Sequence, residues 1–128
     1  MNRRPRILYI EDDPVNMLLI KKLLRVEGFD MLEACDAASG IEIAKQQQPD
    51  AILLDINMPD LDGYSAARQM KGLPELVGIP IIAVTANALD SDRKKSFDAG
   101  CDGYITKPVD IRKFGTQIRF YLDREAVR

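Results

Sequence analysis

Ile52-Leu53-Leu54-Asp55-Ile56-Asn57-Met58-Pro59 is the stretch that decides how this chain folds. An apolar run ends abruptly in an acid, and Pro59, Asp60, Asp62 and Gly63 follow as a turn signal, so a buried strand is expected to surface at Asp55. A carboxylate placed there is exposed to chemistry yet held by a rigid scaffold. A lone acid in this position more often ends a strand or caps the next helix. Which reading holds depends on what the rest of the chain brings to the same place.

Upstream of this stretch, Pro49-Asp50 breaks the chain before a strand over Ala51 to Asp55. Arg6 to Glu11 reads as a first buried strand ending in acids. From Val15 to Val26, Leu19, Leu23 and Val26, with Ile20 and Leu24 beside them, recur at helical spacing, and Gly28 stops that helix. Phe29 to Ala34 is a weaker strand, and Asp36 caps a helix turning Ala37, Ala38, Ile41 and Ala44 inward. Downstream, Tyr64, Ala67 and Met70 mark a third helix, and the segment with Gly72, Pro74, Gly78 and Pro80 is a loop. Ile81 to Thr85 is a fourth buried strand. Ala88 to Ala99 is a charged helix with only Leu89 and Phe97 as large anchors. Gly103 to Thr106 makes a short fifth strand, and Asp110 starts a last helix buried through Ile111, Phe114, Ile118 and Tyr121, with fraying from Glu125. Five strand runs alternating with five helices predict an α/β fold: a single doubly wound parallel sheet covered on both faces, one domain over residues 1–128.

Composition narrows the function. Hydrophobic residues at 46% and charged residues at 30% suit a soluble globular protein, and a net charge of -2 supplies no field for polyanions, so nucleic acid is not a favoured partner. After Arg3, Arg4 and Arg6 the apolar run spans only Ile7 to Ile10, too short for export or a membrane span. The chain has no histidine, which excludes histidine acid/base catalysis and histidine metal sites. Cys35 and Cys101 lack metal-ligand spacing and read as reduced core or near-core thiols of a cytoplasmic protein.

In doubly wound sheets ligands bind outside the carboxyl ends of the strands. Those ends carry Glu11-Asp12-Asp13, Asp55 with Asn57, Thr85-Ala86-Asn87, and Lys107-Pro108. With strand order 2-1-3-4-5 the first and third strands are neighbours, and Glu11, Asp12 and Asp55 converge. Two carboxylates about 4 Å apart repel by roughly 4 kcal/mol at an effective dielectric near 20. A hard divalent cation makes such a cluster sensible: Mg2+ is usually held by one or two carboxylates together with a phosphate. Lys107 offers a compact positive charge and Thr85 a hydroxyl, both suited to phosphoryl oxygens. Each feature alone is ordinary turn or cap chemistry. Together, at the ends of separate strands, they describe a phosphoryl-acceptor site.

These residues resemble the receiver domain of two-component response regulators, through Ile10-Glu11-Asp12, Leu54-Asp55-Ile56-Asn57-Met58-Pro59 with Gly63, Val84-Thr85-Ala86, and Tyr104-Ile105-Thr106-Lys107-Pro108. The resemblance runs from Ile7 to about Leu122. It implies a flavodoxin-like fold, with Asp55 accepting phosphate from a histidine kinase or histidine phosphotransfer protein. It also implies Mg2+ as the cofactor, with Asp12 as the direct carboxylate, Glu11 acting through water, and Asp55 and the Asn57 carbonyl as further ligands. Lys107 would pair with the phosphoryl group before a cis peptide at Pro108. Thr85 and Tyr104 would move as the switch, and the fourth helix, fifth strand and fifth helix would face a downstream protein. Two features depart from the common pattern: Glu11 stands where many relatives carry Asp, and Pro14 follows Asp13 directly. Asp12 could therefore pair with Asp13, but the arrangement of Asp12, Pro14 and Asn16 favours Glu11 with Asp12. Asn57 and Asn87 occupy positions that tune dephosphorylation. The chain also looks similar to single-domain regulators of the DivK type, with no room for an output domain after the last helix; it would catalyse only its own phosphorylation and dephosphorylation. The rival readings are a Mg2+-dependent phosphohydrolase of the haloacid dehalogenase kind, a flavin or nucleotide carrier, and a receiver cut from a hybrid kinase or longer regulator. The hydrolase expects a second Asp where Asn57 stands, and the carrier a glycine-rich loop where the acids stand.

Overall fold

A computed structural model describes residues 4–58, 63–86 and 90–126. Its elements alternate as expected: β1 (Arg6–Ile10), α1 (Pro14–Val26), β2 (Asp30–Ala34), α2 (Ala37–Gln47), β3 (Ala51–Asp55), α3 (Gly63–Lys71), β4 (Ile81–Thr85), α4 (Asp90–Asp98), β5 (Gly103–Thr106) and α5 (Phe114–Ala126). All strand pairs are parallel, and the sheet order is β2-β1-β3-β4-β5. Every residue of β3 and β4 is buried, because helices cover both faces of these central strands and only continuous apolar runs survive there. The edge strand β2 shows a mixed pattern, which is why its sequence signal is weak.

Side-chain alternation along the strands splits the core in two. Leu8, Ile10, Ile52, Leu54, Ile81 and Ala83 pack with α2 and α3, while Ile7, Tyr9, Leu53, Ile82, Val84 and Ile105 pack with α1 and α5. Asp13 caps α1 by accepting from the Val15 amide at 2.9 Å, and Asp36 caps α2 by accepting from the Ser39 amide at 2.8 Å. Gly63 opens α3 against β3's exit: a Cβ there would lie 2.7 Å from the Ile56 Cα, a contact only glycine permits.

Several expectations need correction. Ala38, expected to face inward in α2, is exposed, because the buried arc of that helix runs through Ala37, Gly40, Ile41 and Ala44. In α1 the buried residues are Ile20 and Leu24, while Leu19 and Val26 are exposed; the apolar arc of this helix is wider than the sheet can cover. Cys35 is exposed, since it follows the last residue of β2 in the turn to the α2 cap, whereas Cys101 is buried as expected. The last helix begins at Phe114: Asp110 accepts from the Arg112 amide and organises a preceding turn, leaving Ile111 exposed while Phe114 and Ile118 are buried. In α4 Phe97 faces solvent and the buried residues are Ser96 and, just after the helix, Ala99; Leu89 lies outside the described residues. The segment after α3 holds a short 3-10 turn, Pro74–Leu76, whose Leu76 is buried with Leu73 packed beside the same core; so short a stretch carries no periodic signal.

Candidate functional site

The register of β1, β3 and β4 pairs Ile10 with Leu54 and Asp55 with Val84, so the chain after β1 and the end of β3 open side by side. Glu11 extends the ladder by one rung, its amide donating to the Ala34 carbonyl at 3.0 Å. Glu11 and Asp55 are buried and Asp12 is exposed at the mouth. One carboxylate oxygen from each of the three lies within 4.8 Å of the others. Asp13 Oδ1 caps α1, and the acids that gather within reach of one another are Glu11, Asp12 and Asp55. An all-oxygen donor set of this charge and spacing fits a hard divalent cation.

Lys107, placed by its amide's bond to the Thr85 carbonyl, reaches into the cluster from β5. Its Nζ lies 3.1 Å from Glu11 Oε1 and 3.4 Å from Asp55 Oδ2. The Lys107-Pro108 peptide is cis. Asp55 Oδ1 accepts from the Asn57 amide at 2.9 Å, which fixes the orientation of the carboxylate at the strand exit. Burial pushes the Asp55 carboxyl up to about 6; the neighbouring Glu11 adds to this, and the Asn57 amide and Lys107 oppose it. Burial also pushes Glu11 upward, but hydrogen bonds from Asp55, Tyr9 and Lys107 outweigh it and hold the carboxyl down at about 2. The two acids are thus shifted in opposite directions, Asp55 upward chiefly by burial and Glu11 downward by its hydrogen bonds.

Thr85 is buried at the end of β4, and its hydroxyl donates to Asn57 Oδ1 at 3.2 Å. The same oxygen accepts from the Ala86 amide at 3.0 Å, so the Asn57 side chain ties the exits of β3 and β4 together. Tyr104 on β5 is half-buried, and the Arg93 guanidinium of α4 lies over its ring at 5.6 Å. Glu11, Asp12, Asp55, Lys107, Asn57 and Thr85 thus meet at one edge, and Tyr104 stands away from it beside α4. Asn87, with Pro59, Asp60 and Asp62, lies outside the described residues. Sequence reasoning missed two partners: the Asn57 side chain as a clamp on β4, and Tyr9, whose hydroxyl donates to Glu11 Oε1 at 2.7 Å. The signal for Tyr9 was its position two residues before Glu11, on the same face of one extended segment.

A five-stranded parallel sheet with a carboxylate cleft and an invading lysine suits phosphoacceptor signalling, and the comparisons give the family. The response regulator receiver domain matches residues 7–119, and the chain belongs to that family, the phosphorylation switches of two-component signalling. The polar-differentiation response regulator DivK of Brucella anthropi is 33% identical over 116 residues, covering 91% of this chain and 94% of DivK. The DNA-binding dual master transcriptional regulator RpaA of Synechocystis is 36% identical over 94% of this chain, which spans 50% of RpaA. Among solved structures, the receiver domain of sensor histidine kinase PA1611 of Pseudomonas aeruginosa, with a magnesium ion coordinated in its active site cleft, superposes with TM-score 0.86 at 36% identity, covering 94% of this chain and 99% of that one. Receiver domains pair with histidine kinases or phosphotransfer proteins and with downstream partners. No helix among the described residues is long and apolar enough to cross a membrane.

Proposed function

We propose that Asp55 is the phosphoacceptor of this receiver. The observation that carries the reading is the convergence on Asp55 of Lys107 Nζ at 3.4 Å and of Glu11 and Asp12 oxygens within 4.8 Å. An ionised Asp55 oxygen attacks the phosphorus of a phosphohistidine; the new O–P bond forms as the P–N bond breaks, and the imidazole leaves. Asp12, Asp55 and the Asn57 backbone carbonyl, with Glu11 acting through water, would hold Mg2+, which when bound neutralises the acids and the phosphoryl oxygens. Lys107 then serves the phosphoryl group, exchanging its present acidic partners for phosphoryl oxygens. Thr85 would give up its bond to Asn57 to donate to the same group. Tyr104 would follow Thr85, and the surface of α4, β5 and α5 would present the change to a downstream protein; alternatively the phosphoryl group passes onward in a relay.

In this reading residues 1–128 are a receiver unit that catalyses only its own phosphorylation and dephosphorylation. Two reduced thiols suit a cytoplasmic setting, and the charge balance of -2 suits protein partners over nucleic acid. Acetyl phosphate with Mg2+ tests it by intact mass: wild type should gain one phosphoryl group and Asp55→Asn none. A phosphorylated Asp55→Asn protein would refute the assignment.

A further inference from the structure

Tyr9 lies 1% exposed among Ile20, Leu24 and Phe114, in a space that a phenylalanine would fill equally well. A buried phenol needs a partner, and the partner here is an acid of the metal cluster rather than a backbone carbonyl. Its hydroxyl donates to Glu11 Oε1 at 2.7 Å, and Lys107 Nζ approaches that same oxygen at 3.1 Å. Oε2 accepts a long bond from the Asp13 amide at 3.4 Å, and the Asp55 carboxyl stands beside the same carboxylate. A hydroxyl and a nitrogen donor crowd Oε1, so Oε2 is the oxygen that Glu11 can more readily offer.

The length of the side chain explains why this matters. Glutamate has one more rotatable bond than aspartate, so its carboxylate has more positions to lose on binding a cation. A hydrogen bond from the rigid ring of Tyr9, two residues earlier on the same face, removes that freedom in advance. We propose that Tyr9 is a positioning residue for the metal site: its hydroxyl orients Glu11 so that Oε2 is presented to Mg2+, and Tyr9 with Glu11 works as a matched pair. The proposal rests on the phosphoacceptor reading above, because it takes the acid cluster as the Mg2+ site. Tyr9 touches neither metal nor phosphate and acts through Glu11 alone.

Mg2+ titration calorimetry on wild type, Tyr9→Phe, Glu11→Asp and the double variant tests this, with circular dichroism as the check on folding. Tyr9→Phe should weaken Mg2+ binding about tenfold, the lower end for loss of a partner that orients a ligand. In the Glu11→Asp background, where the carboxylate is a methylene shorter and withdrawn from the phenol, the same change should cost less than about twofold. A purely structural role for Tyr9 would lower the melting temperature and leave this non-additivity absent. An unchanged affinity for Tyr9→Phe, or an equal loss in both backgrounds, overturns the proposal while leaving the phosphoacceptor reading intact. A wild type that binds no Mg2+ overturns both. Should Tyr9→Phe not fold, carbon-13 labelling of the four tyrosine ring Cζ atoms reads the hydrogen bond directly. The Tyr9 resonance should move on Mg2+ addition in wild type and not in Glu11→Asp, and a resonance that stays still in wild type overturns the proposal.

Discussion

Asp55 and Glu11 share one cleft, and their opposite shifts have opposite consequences for stability. Asp55 is raised from 3.8 to about 6, so the folded state holds its proton more tightly than the unfolded state; the stabilisation is complete below 3.8 and lost as pH rises through 6. Glu11 is lowered from 4.5 to about 2, so its stabilisation is present above 4.5 and lost as pH falls through 2. Asp55→Asn removes the first of these and, with it, the Asp55 hydrogen bond that helps hold Glu11 down. In EDTA, at about pH 7.5, the variant should be more stable than wild type, by on the order of 1–3 kcal/mol, and the gap should close toward about pH 4.5. Thermal melts at the two pH values check this; a gap of equal size at both would show that Asp55 does not titrate where its surroundings place it. Asp55 and Thr85, which end β3 and β4, and Lys107, which follows β5, stood out in the sequence as side chains of unusual chemistry against apolar runs. The roles of Tyr9 and the Asn57 side chain were not, since both depend on hydrogen bonds between atoms whose meeting only the folded register fixes.

At the level of elements, caps and close approaches set the positions that the site uses. Asp13→Ala removes the α1 cap and should cost about 1 kcal/mol in urea unfolding while leaving Mg2+ affinity unchanged, because Asp13 serves the helix and not the cluster. A loss of Mg2+ binding with that variant would favour the pairing of Asp12 with Asp13 instead. Gly103 lets α5 settle on β5: a Cβ there would stand 2.2 Å from the Tyr121 ring, so Gly103→Ala should destabilise by roughly 1–3 kcal/mol, measured by the same unfolding curves. A neutral result would mean that the ring swings aside freely. The identity of each element was readable from periodicity, but the buried face was not always so. In α1, apolar residues span more of the circumference than the sheet covers, so spacing alone could not separate buried Ile20 and Leu24 from exposed Leu19 and Val26. Ile111 misled in the same way: an apolar residue next to a capping acid imitates a helix start, and here the acid organises a turn.

The whole molecule is a rigid parallel sheet whose acids, lysine and hydroxyl collect at one edge because every strand runs the same way. Alternating strands and helices made a doubly wound parallel sheet legible but not its strand order; 2-1-3-4-5 was the condition under which the acids converge, and the sheet has that order. Less legible was α4, whose charged sequence lacks a strong apolar stripe; in the structure its side toward β5 is marked by Arg93 over Tyr104. That contact joins the helix to β5, the strand that carries Tyr104 and leads into Lys107, and it is the route we propose for a change at Asp55 to reach the surface. Everything in this account depends on the covalent event at Asp55. Borohydride reduction after treatment with acetyl phosphate and Mg2+ converts a phosphorylated aspartate to homoserine, and sequencing the tryptic peptide 46–68 by mass spectrometry locates it. Homoserine at position 55 alone, dependent on Mg2+, is the predicted result; homoserine at another acid, or none anywhere, would contradict the account.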